Sequence, residues 1–421
     1  MDVLKIFGGK PLHGSVTIPG SKNAALAVLS SVMLATGDTV LTNVPNVSDI
    51  RIKLQLLEQF GVHAYWQGDN LRINADSLVM TDVGEELVRP IRTSFYILGP
   101  LLARLGEARI PAPGGCKIGA RPVDFHLKGL ALMGAMVDLE AGCYVARTDG
   151  LKGAEIYLDF PSAGATQHLM ATATLAYGVT VIQNAAAEPE VIALAEFLNR
   201  MGSRIEGAGT STITITGVSQ LRGAEYRVPE DRLQAATYLL GAAITRGDVI
   251  VSGLMPEHQT ALINKLREAG AECTEGYDWV RVVAPRRLNG IRVKTMPYPG
   301  FPTDIQQPMA AVLALARGTS VVEETIYESR TGHVPELNRL GARMHLEGRS
   351  TIIEGVNGLM GSAVEASDLR AGAALCLAGL VAEGETIVRN VHFIDRGYED
   401  LELRLQALGA RIERVSPDRV S

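Results

Sequence analysis

Internal repetition is the feature of this sequence that most restricts its fold. A pattern typical of a helix end, in which Leu is followed three residues later by an apolar residue and then by Gly, recurs six times at intervals of about 70 residues. A glycine directly after the last apolar turn can adopt the left-handed conformation that closes a helix. The six glycines are Gly61, Gly134, Gly202, Gly270, Gly341 and Gly409.

A second set of glycines precedes the first set with the same period. These glycines end Ala-rich helices and introduce short strands. They are Gly37, Gly106, Gly178, Gly247, Gly318 and Gly384. Each unit therefore predicts an Ala-rich helix, a short strand, a polar loop, an amphipathic helix and a hairpin such as the one around residues 212–216, where apolar residues alternate with polar ones.

Six such βα units predict an α/β protein with two domains, because 421 residues exceed what one hydrophobic core usually serves. The sixth unit ends before its hairpin is complete, whereas residues 3–18 are rich in strand patterns and contain no helix. We therefore expect the N-terminus to complete the last unit. The predicted first domain is 21–229, with three repeats, and the predicted second domain is 1–20 plus 230–421, with the other three.

Composition excludes several classes of protein. With 47% apolar and 20% charged residues the chain is typical of a globular protein, and a net charge of −6 with both signs interspersed argues against nucleic acid as a partner. The sequence has neither the pattern of a signal peptide nor an apolar run long enough for a membrane span, which predicts a cytoplasmic protein without membrane partners. Four widely spaced cysteines predict neither a disulfide framework nor a zinc site.

One polar loop differs from the others. Residues 111–126 contain three glycines and three prolines, whereas the other five units have ordinary connectors at this point. Cys116 stands beside Lys117, with Arg121 five residues further on, and nearby cations lower the pKa of a thiol. An exposed thiol there could exchange protons, although an incidental surface cysteine is the commoner explanation of such spacing. His126 ends the loop, and a lone histidine is more often structural than catalytic.

The starts of the Ala-rich helices form a second group of candidate residues. Each begins with a polar or charged group, and helix N-termini bind anions through free amides and the helix dipole. Capping by Ser, Thr and Asp explains most of these residues without any ligand. Capping does not explain the lysine and the arginines. Together with the helix starts, five cations predict an anion pocket: Lys22, Arg92, Arg121, Arg370 and Arg396.

Four segments together resemble UDP-N-acetylglucosamine 1-carboxyvinyltransferase, a family of the EPSP synthase superfamily. They are Gly20–Ala25, the cysteine loop Gly114–His126, Pro299–Asp304 and Asp395–Glu399, and the resemblance extends over essentially the whole chain. The cysteine loop is specific, because the sister family of the shikimate pathway shares the sixfold repeat but lacks this loop. The resemblance implies two inside-out α/β barrel domains, each with three-fold pseudosymmetry, that close on their substrates.

The resemblance also implies an activity. The enolpyruvyl group of phosphoenolpyruvate is transferred to the 3′-hydroxyl of UDP-N-acetylglucosamine with release of phosphate, which is the first committed step of peptidoglycan synthesis. The family needs no metal or organic cofactor. The chemistry requires one acid, one base and several cations. Cysteine rather than aspartate at position 116 further predicts alkylation by fosfomycin.

The resemblance assigns roles to individual residues. Cys116 is the proton donor and can form a covalent adduct with the substrate, and Asp304 is the base for the 3′-hydroxyl. Phosphoenolpyruvate is expected at Lys22, Asn23, Cys116, Arg121, Arg370 and Arg396. UDP-N-acetylglucosamine is expected at Asn23, Arg92, Arg121, Pro122, Val123, Asp124, Phe125, Ser162, Ala163, Gly164, Asp304 and Ile326.

One departure and two alternatives accompany this assignment. Some family members carry a lysine just before the Ser-x-Gly segment, where this chain has Phe160-Pro161. The contacts to the nucleotide diphosphate are therefore expected to differ here. Phe160 could stack on uracil, although we expect it to be a core residue. The alternative functions are a related enolpyruvyl transferase with another acceptor, such as a nucleotide or shikimate 3-phosphate, and a non-catalytic repeat scaffold.

Overall fold

The computed structural model describes residues 2–113 and 123–416. These residues form two compact units. The first unit contains residues 20–113 and 123–229, and the second unit contains residues 2–19 and 230–416. Both junctions lie directly after a proline, Pro19 and Pro229.

In the first unit the helices are Lys22–Ser31, Ser48–Gln59, Glu85–Val88, Leu98–Leu105, Asp124–Leu132, Ala163–Ala173 and Pro189–Arg200, with short 3₁₀ helices at Val32–Leu34 and Arg92–Ile97. The strands are Ala35–Thr36, Asp38–Thr42, His63–Gln67, Asn70–Asn74, Glu107–Pro111, Met136–Glu140, Cys143–Arg147, Glu155–Tyr157, Val179–Gln183, Arg204–Glu206, Thr212–Thr216, Leu221–Arg222 and Glu225–Arg227.

In the second unit the helices are Arg232–Thr245, Thr260–Ala269, Gln306–Leu313, His333–Arg339, Leu369–Gly379 and Leu401–Ala407, with 3₁₀ helices at Pro256–Gln259, Thr303–Ile305 and Val391–Arg396. The strands are Val3–Phe7, His13–Thr17, Asp248–Ser252, Glu272–Glu275, Trp279–Val283, Arg292–Lys294, Thr319–Glu323, Arg343–Glu347, Ser350–Glu354, Leu359–Met360, Ala363–Glu365, Ala382–Glu383, Glu385–Arg389 and Arg411–Val415.

The Ala-rich helices form the inside of each unit. In the second unit every residue of Arg232–Thr245 and Gln306–Leu313 is buried, and so is every residue of Leu369–Gly379 except its first. Small side chains let the three helices pack closely on one another, and the sheets surround them with alternating buried and exposed residues. The carboxyl ends of these helices line a common cavity of about 290 Å³. The three helices therefore run in the same direction.

The sheets repeat one topology. Within the described residues, the five-residue strand after the central helix pairs antiparallel with a hairpin strand in every repeat. In five repeats it also pairs in parallel with a strand that leads into a central helix, whereas Glu107–Pro111 has no parallel partner. In the last repeat Val3–Phe7 supplies one hairpin strand, antiparallel to both Glu385–Arg389 and Arg411–Val415. His13–Thr17 joins Asp248–Ser252 in parallel. The N-terminal strands thus complete two sheets of the second unit, as the unfinished sixth repeat predicts.

The repeat glycines behave as expected with one exception. All six glycines of the first set have positive φ, and so do five of the second set. At the remaining position Arg246 takes the left-handed conformation, with φ of 55°, and caps the Arg232–Thr245 helix. Gly247 is required for a different reason, since a Cβ there would collide with the backbone of Leu12. The prediction of a left-handed glycine at 247 was wrong by one residue.

The central position of Val3–Phe7 leads to a prediction about stability. Leu4 and Ile6 are fully buried, whereas Lys5 lies between them on the other face of the strand and is partly exposed. Ile6→Ala should lower the free energy of unfolding by about 2–5 kcal/mol, because it leaves a cavity in the core. Lys5→Ala should change it by less than about 1 kcal/mol. Urea unfolding followed by circular dichroism would measure both, and equal losses would contradict this placement of the strand.

Candidate active site

Helix starts in the first unit carry the candidate residues Lys22, Asn23 and Ser162. Ser21 and Ser162 are N-caps, and each side chain accepts a hydrogen bond from a backbone amide three residues on, at 3.3 Å. Capping therefore accounts for both serines, as it does for Asp231 and Asp368 in the second unit. Lys22 is not explained by capping. Its Nζ lies 3.2 Å from the carboxylate of Asp49, and its side chain is only 12% exposed.

Arg92 lies in the 3₁₀ helix Arg92–Ile97, which leads into the central helix Leu98–Leu105. The neighbouring Thr93 carbonyl accepts a hydrogen bond of 2.9 Å from Nζ of Lys53. Lys53 is fully buried, and burial lowers the pKa of its ammonium group well below the usual value. Asp49 and Lys53 lie one turn apart on the Ser48–Gln59 helix. This helix therefore fixes both Lys22 and the backbone beside Arg92.

The remaining sugar-site candidates of the first unit lie at two further helix starts. Val123, Asp124 and Phe125 begin the Asp124–Leu132 helix, and Ala163 and Gly164 begin the Ala163–Ala173 helix. Cys116, Arg121 and Pro122 lie outside the described residues. Phe160 is 41% exposed, so the expectation that it belongs to the core was wrong. Three of the segments predicted to bind UDP-N-acetylglucosamine thus lead directly into helices of one unit.

Two buried histidines connect these helices. His168 Nε2 accepts a hydrogen bond of 2.9 Å from the Gly99 amide, and its Nδ1 lies 3.0 Å from Nδ1 of His126. Both rings pack against Phe95 and Tyr96. Burial, and secondarily the charge of Lys53, lowers the pKa of His168 to about 3. Burial also lowers the pKa of His126 well below its usual value, with smaller contributions from His168 and Arg92.

In the second unit Asp304 lies between two guanidinium groups. It belongs to the 3₁₀ turn Thr303–Ile305, directly before the central helix Gln306–Leu313. Its carboxylate is 2.6 Å from Arg330 and 4.0 Å from Arg370, and 27% of its side chain is exposed. Asp304 and Arg370 therefore lie together, and the carboxylate stays accessible to a ligand.

Arg370 is held by a tyrosine. Its Nη1 donates a hydrogen bond of 3.0 Å to the hydroxyl of Tyr398, which is also 2.7 Å from Oγ1 of Thr237. The Arg370 side chain is only 3% exposed. Burial opposes its charge, but Tyr398, Asp304 and Asp231 outweigh that effect and raise its pKa. A buried, permanently charged guanidinium at a helix start is suited to hold an anion.

Two other candidates of this unit are fixed through neighbours. The Ile326 amide donates a hydrogen bond of 2.7 Å to Glu324, whose other carboxylate oxygen accepts one from Thr303. Arg396 ends the 3₁₀ helix Val391–Arg396, and the preceding Asp395 forms a bidentate ion pair with Arg414. The loop around Ile326 and the start of the Gln306–Leu313 helix thus share one hydrogen-bond network.

Arg330 was missed by the sequence analysis. It lies in the connector of the fifth repeat, which was expected to be ordinary, and it bonds both Asp304 and Thr303. Its side chain is 5% exposed. The available signal was its position, because the connector of the second repeat, at the equivalent place, carries Cys116. Asp49, the partner of Lys22, was missed as well.

Among residues 2–113 and 123–416 no group of three or more His, Cys, Asp or Glu side chains is placed to hold a metal ion. Within the same residues no helix is long and apolar enough to cross a membrane.

Known proteins resemble the chain over nearly its whole length. The family model of EPSP synthase (3-phosphoshikimate 1-carboxyvinyltransferase) matches residues 6–405. UDP-N-acetylglucosamine 1-carboxyvinyltransferase 1 of Carboxydothermus hydrogenoformans is 48% identical over 99% of both chains. The Nostoc sp. UDP-N-acetylglucosamine 1-carboxyvinyltransferase is 47% identical over 98% of this chain and 94% of its own. The chain belongs to the UDP-N-acetylglucosamine 1-carboxyvinyltransferase family.

Solved structures agree with the fold of this transferase family. The enolpyruvyl transferase NikO of Streptomyces tendae superposes with a TM-score of 0.89 at 25% identity, covering 99% of both chains. EPSP synthase of Acinetobacter baumannii superposes with a TM-score of 0.76 at 21% identity, covering 99% of this chain and all of its own, which supports the fold alone. The predicted α/β enolpyruvyl transferase fold is confirmed, and the family assignment makes the protein a transferase.

The buried histidines predict how stability depends on pH. His168 has a pKa of about 3 in the folded state against 6.5 ordinarily, so between these values the unfolded chain binds the extra proton. Stability therefore falls as pH drops below about 6.5. Between pH 7 and pH 5 the wild type should lose about 2 kcal/mol more than His168→Asn, from about 1.4 kcal/mol per pH unit.

The control is His63→Asn, which replaces an exposed histidine on the strand His63–Gln67. It should lose as much stability as the wild type over the same pH interval. Urea unfolding at both pH values measures the losses. An equal loss in wild type and His168→Asn would show that His168 accepts protons while folded.

Proposed function

We propose that this protein transfers the enolpyruvyl group of phosphoenolpyruvate to the 3′-hydroxyl of UDP-N-acetylglucosamine and releases phosphate. The observation that carries the proposal is 48% identity to a named UDP-N-acetylglucosamine 1-carboxyvinyltransferase over 99% of both chains. The charged groups at the helix starts are consistent with two anionic substrates. We place the reaction in the cytoplasm, at the first committed step of peptidoglycan synthesis.

The first step is addition. The Cys116 thiol gives its proton to C3 of phosphoenolpyruvate, which makes C2 electrophilic. The sugar 3′-oxygen then bonds to C2 while Asp304 takes the hydroxyl proton. The product is a tetrahedral intermediate that still carries the phosphate group. Elimination follows, in which C3 loses a proton to the Cys116 thiolate, the C2–O bond to phosphate breaks and the C2–C3 double bond forms again. The proton on Asp304 passes to the departing phosphate, which restores the base.

Asp304 is suited to the role of base by its surroundings. Arg330 at 2.6 Å orients one carboxylate oxygen, and Arg370 lies 4.0 Å from the other. A base must be held firmly and yet reach the substrate, and the exposed quarter of this side chain meets the second requirement. The neighbouring Arg370 would bind an acidic group of phosphoenolpyruvate beside the base.

The other cations are assigned to the same substrate. Lys22, Arg121 and Arg396 would hold its phosphate and carboxylate together with Arg370, and Asn23 would contact both substrates. Lys22 is prepared for this by its ion pair with Asp49, because the ammonium group is held in place and nearly removed from water before substrate binds. Cys116 would also form a covalent adduct with phosphoenolpyruvate.

UDP-N-acetylglucosamine is assigned mainly to the first unit. Its contacts would come from Asn23, Arg92, Arg121 to Phe125 and Ser162 to Gly164, with Asp304 and Ile326 from the second unit. Because Phe160 stands where some relatives have lysine, Arg92 and Arg121 carry the positive charge available to the diphosphate. The exposed ring of Phe160 is free to stack on a flat group such as uracil.

The experiment is phosphate release from phosphoenolpyruvate with UDP-N-acetylglucosamine, shikimate 3-phosphate or UMP as acceptor. Release should require UDP-N-acetylglucosamine and should be lost in Cys116→Ala. Asp304→Asn should slow it by about 10²–10⁴-fold, the usual contribution of a general base. The matched control Asp278→Asn, at an exposed acid of the same unit, should behave as the wild type.

Other outcomes separate the alternatives. Phosphate release with another acceptor would support enolpyruvyl transfer but would show that UDP-N-acetylglucosamine is not the acceptor. Release with none of the three would favour the non-catalytic scaffold. Normal activity of Asp304→Asn would show that Asp304 is not the base.

A further inference from the structure

His168 connects three helices of the first unit. It lies within the central helix Ala163–Ala173, accepts a hydrogen bond from Gly99 in the first turn of Leu98–Leu105, and contacts His126 in the first turn of Asp124–Leu132. Amides in the first turn of a helix lack partners within the helix, so the imidazole supplies an acceptor that Gly99 needs. Gly99 has no side chain, which permits this approach, since a Cβ would lie 2.7 Å from His168 Nε2.

The hydrogen bonds determine where the protons are. A backbone amide can only donate, so Nε2 of His168 must be the acceptor and carries no proton. The ring of His168 is neutral, because burial holds its pKa at about 3. Its single proton is therefore on Nδ1, and it is donated to Nδ1 of His126 at 3.0 Å. His126 must then be protonated on Nε2.

The three helices joined in this way follow three of the segments assigned to the nucleotide sugar. Arg92 precedes Leu98–Leu105, Val123 to Phe125 begin Asp124–Leu132, and Ser162 to Gly164 begin Ala163–Ala173. We propose that His168 is a positioning residue that sets the affinity for the nucleotide-sugar acceptor by its bond to His126, which directly follows Val123 to Phe125. The bond from Gly99, which lies further along the chain from Arg92, serves to fix the His168 tautomer. This inference rests on the proposed function, which assigns the acceptor to these segments.

The groups around His126 and His168 favour a specific hydrogen-bonded arrangement of the two rings over nonspecific packing. Phe95 and Tyr96 pack against both imidazole rings. Thr172 donates to the His168 carbonyl at 2.7 Å, one turn further along the helix. Arg92, and Lys53 when protonated, carry positive charge near the two histidines and disfavour a second proton on either ring. The single neutral tautomer of each ring is therefore maintained.

Two substitutions separate the two bonds of His168. In Asn the amide nitrogen occupies the place of Nδ1, so His168→Asn keeps a donor to His126 and loses the acceptor for Gly99. In Gln the amide oxygen can reach the place of Nε2, so His168→Gln keeps the acceptor for Gly99 and loses the donor to His126. Each variant loses one buried hydrogen bond, so similar falls in melting temperature are expected.

The kinetic test uses the full-length enzyme with phosphoenolpyruvate and whichever acceptor the wild type uses. His168→Gln should raise KM for the acceptor about tenfold, the equivalent of one lost hydrogen bond, with KM for phosphoenolpyruvate changed by less than about twofold. His168→Asn should keep the acceptor KM within about threefold of the wild type. Equal changes in both variants, or changes that follow melting temperature alone, would overturn the proposal.

A spectroscopic test needs no turnover. Long-range ¹H–¹⁵N correlation spectra of the protein labelled with ¹⁵N-histidine should show His168 protonated on Nδ1 and His126 protonated on Nε2 at pH 7. His126 protonated on Nδ1 would overturn the proposal even in an active enzyme. Failure of the proposed function would appear separately, as absence of turnover with UDP-N-acetylglucosamine in the wild type.

Discussion

The burial of the Ala-rich helices at the centre of each unit is the constraint on which the rest of this structure depends. Every residue of Arg232–Thr245 is buried, and most of its side chains are small or apolar, because burial of polar groups is costly. The sheets must then lie outside, and the loops that join helix to strand collect at the helix ends. A site can therefore be built at one end of the bundle without disturbing its core.

The desolvation cost of burying the charged groups at these helix ends is offset because the groups are paired. Arg330 and Arg370 are nearly removed from water, which costs several kcal/mol per ion when no partner is present. Asp304 and the hydroxyl groups of Thr303 and Tyr398 offset that cost. The same contacts keep the guanidinium groups and the carboxylate in place before any substrate arrives. Pre-positioned charge of this kind favours transfer reactions, since little reorganisation remains for the reaction itself.

Periodic features of the sequence predicted much of the fold, whereas contacts between residues that are distant in the sequence could not be predicted. The spacing of glycines predicted the six repeats, and the incomplete sixth repeat predicted that the N-terminal strand would join the last sheet, which Val3–Phe7 does. Arg330 was not predicted, because its partner Asp304 lies in a separate segment, the 3₁₀ turn Thr303–Ile305, and no periodicity relates the two. His126 was expected to be structural, and its partner His168 lies 42 residues away within a helix whose pattern indicates only burial.

The most direct test of the central claim is the structure of the reaction product. The protein would be incubated with phosphoenolpyruvate labelled with ¹³C at C2 and with UDP-N-acetylglucosamine, and the product would be examined by two-dimensional NMR. The account predicts a three-bond correlation between C2 of an enol ether and the 3′ proton of the sugar, together with one phosphate released for each product molecule. A correlation to any other sugar position, or recovery of both substrates unchanged, would contradict it.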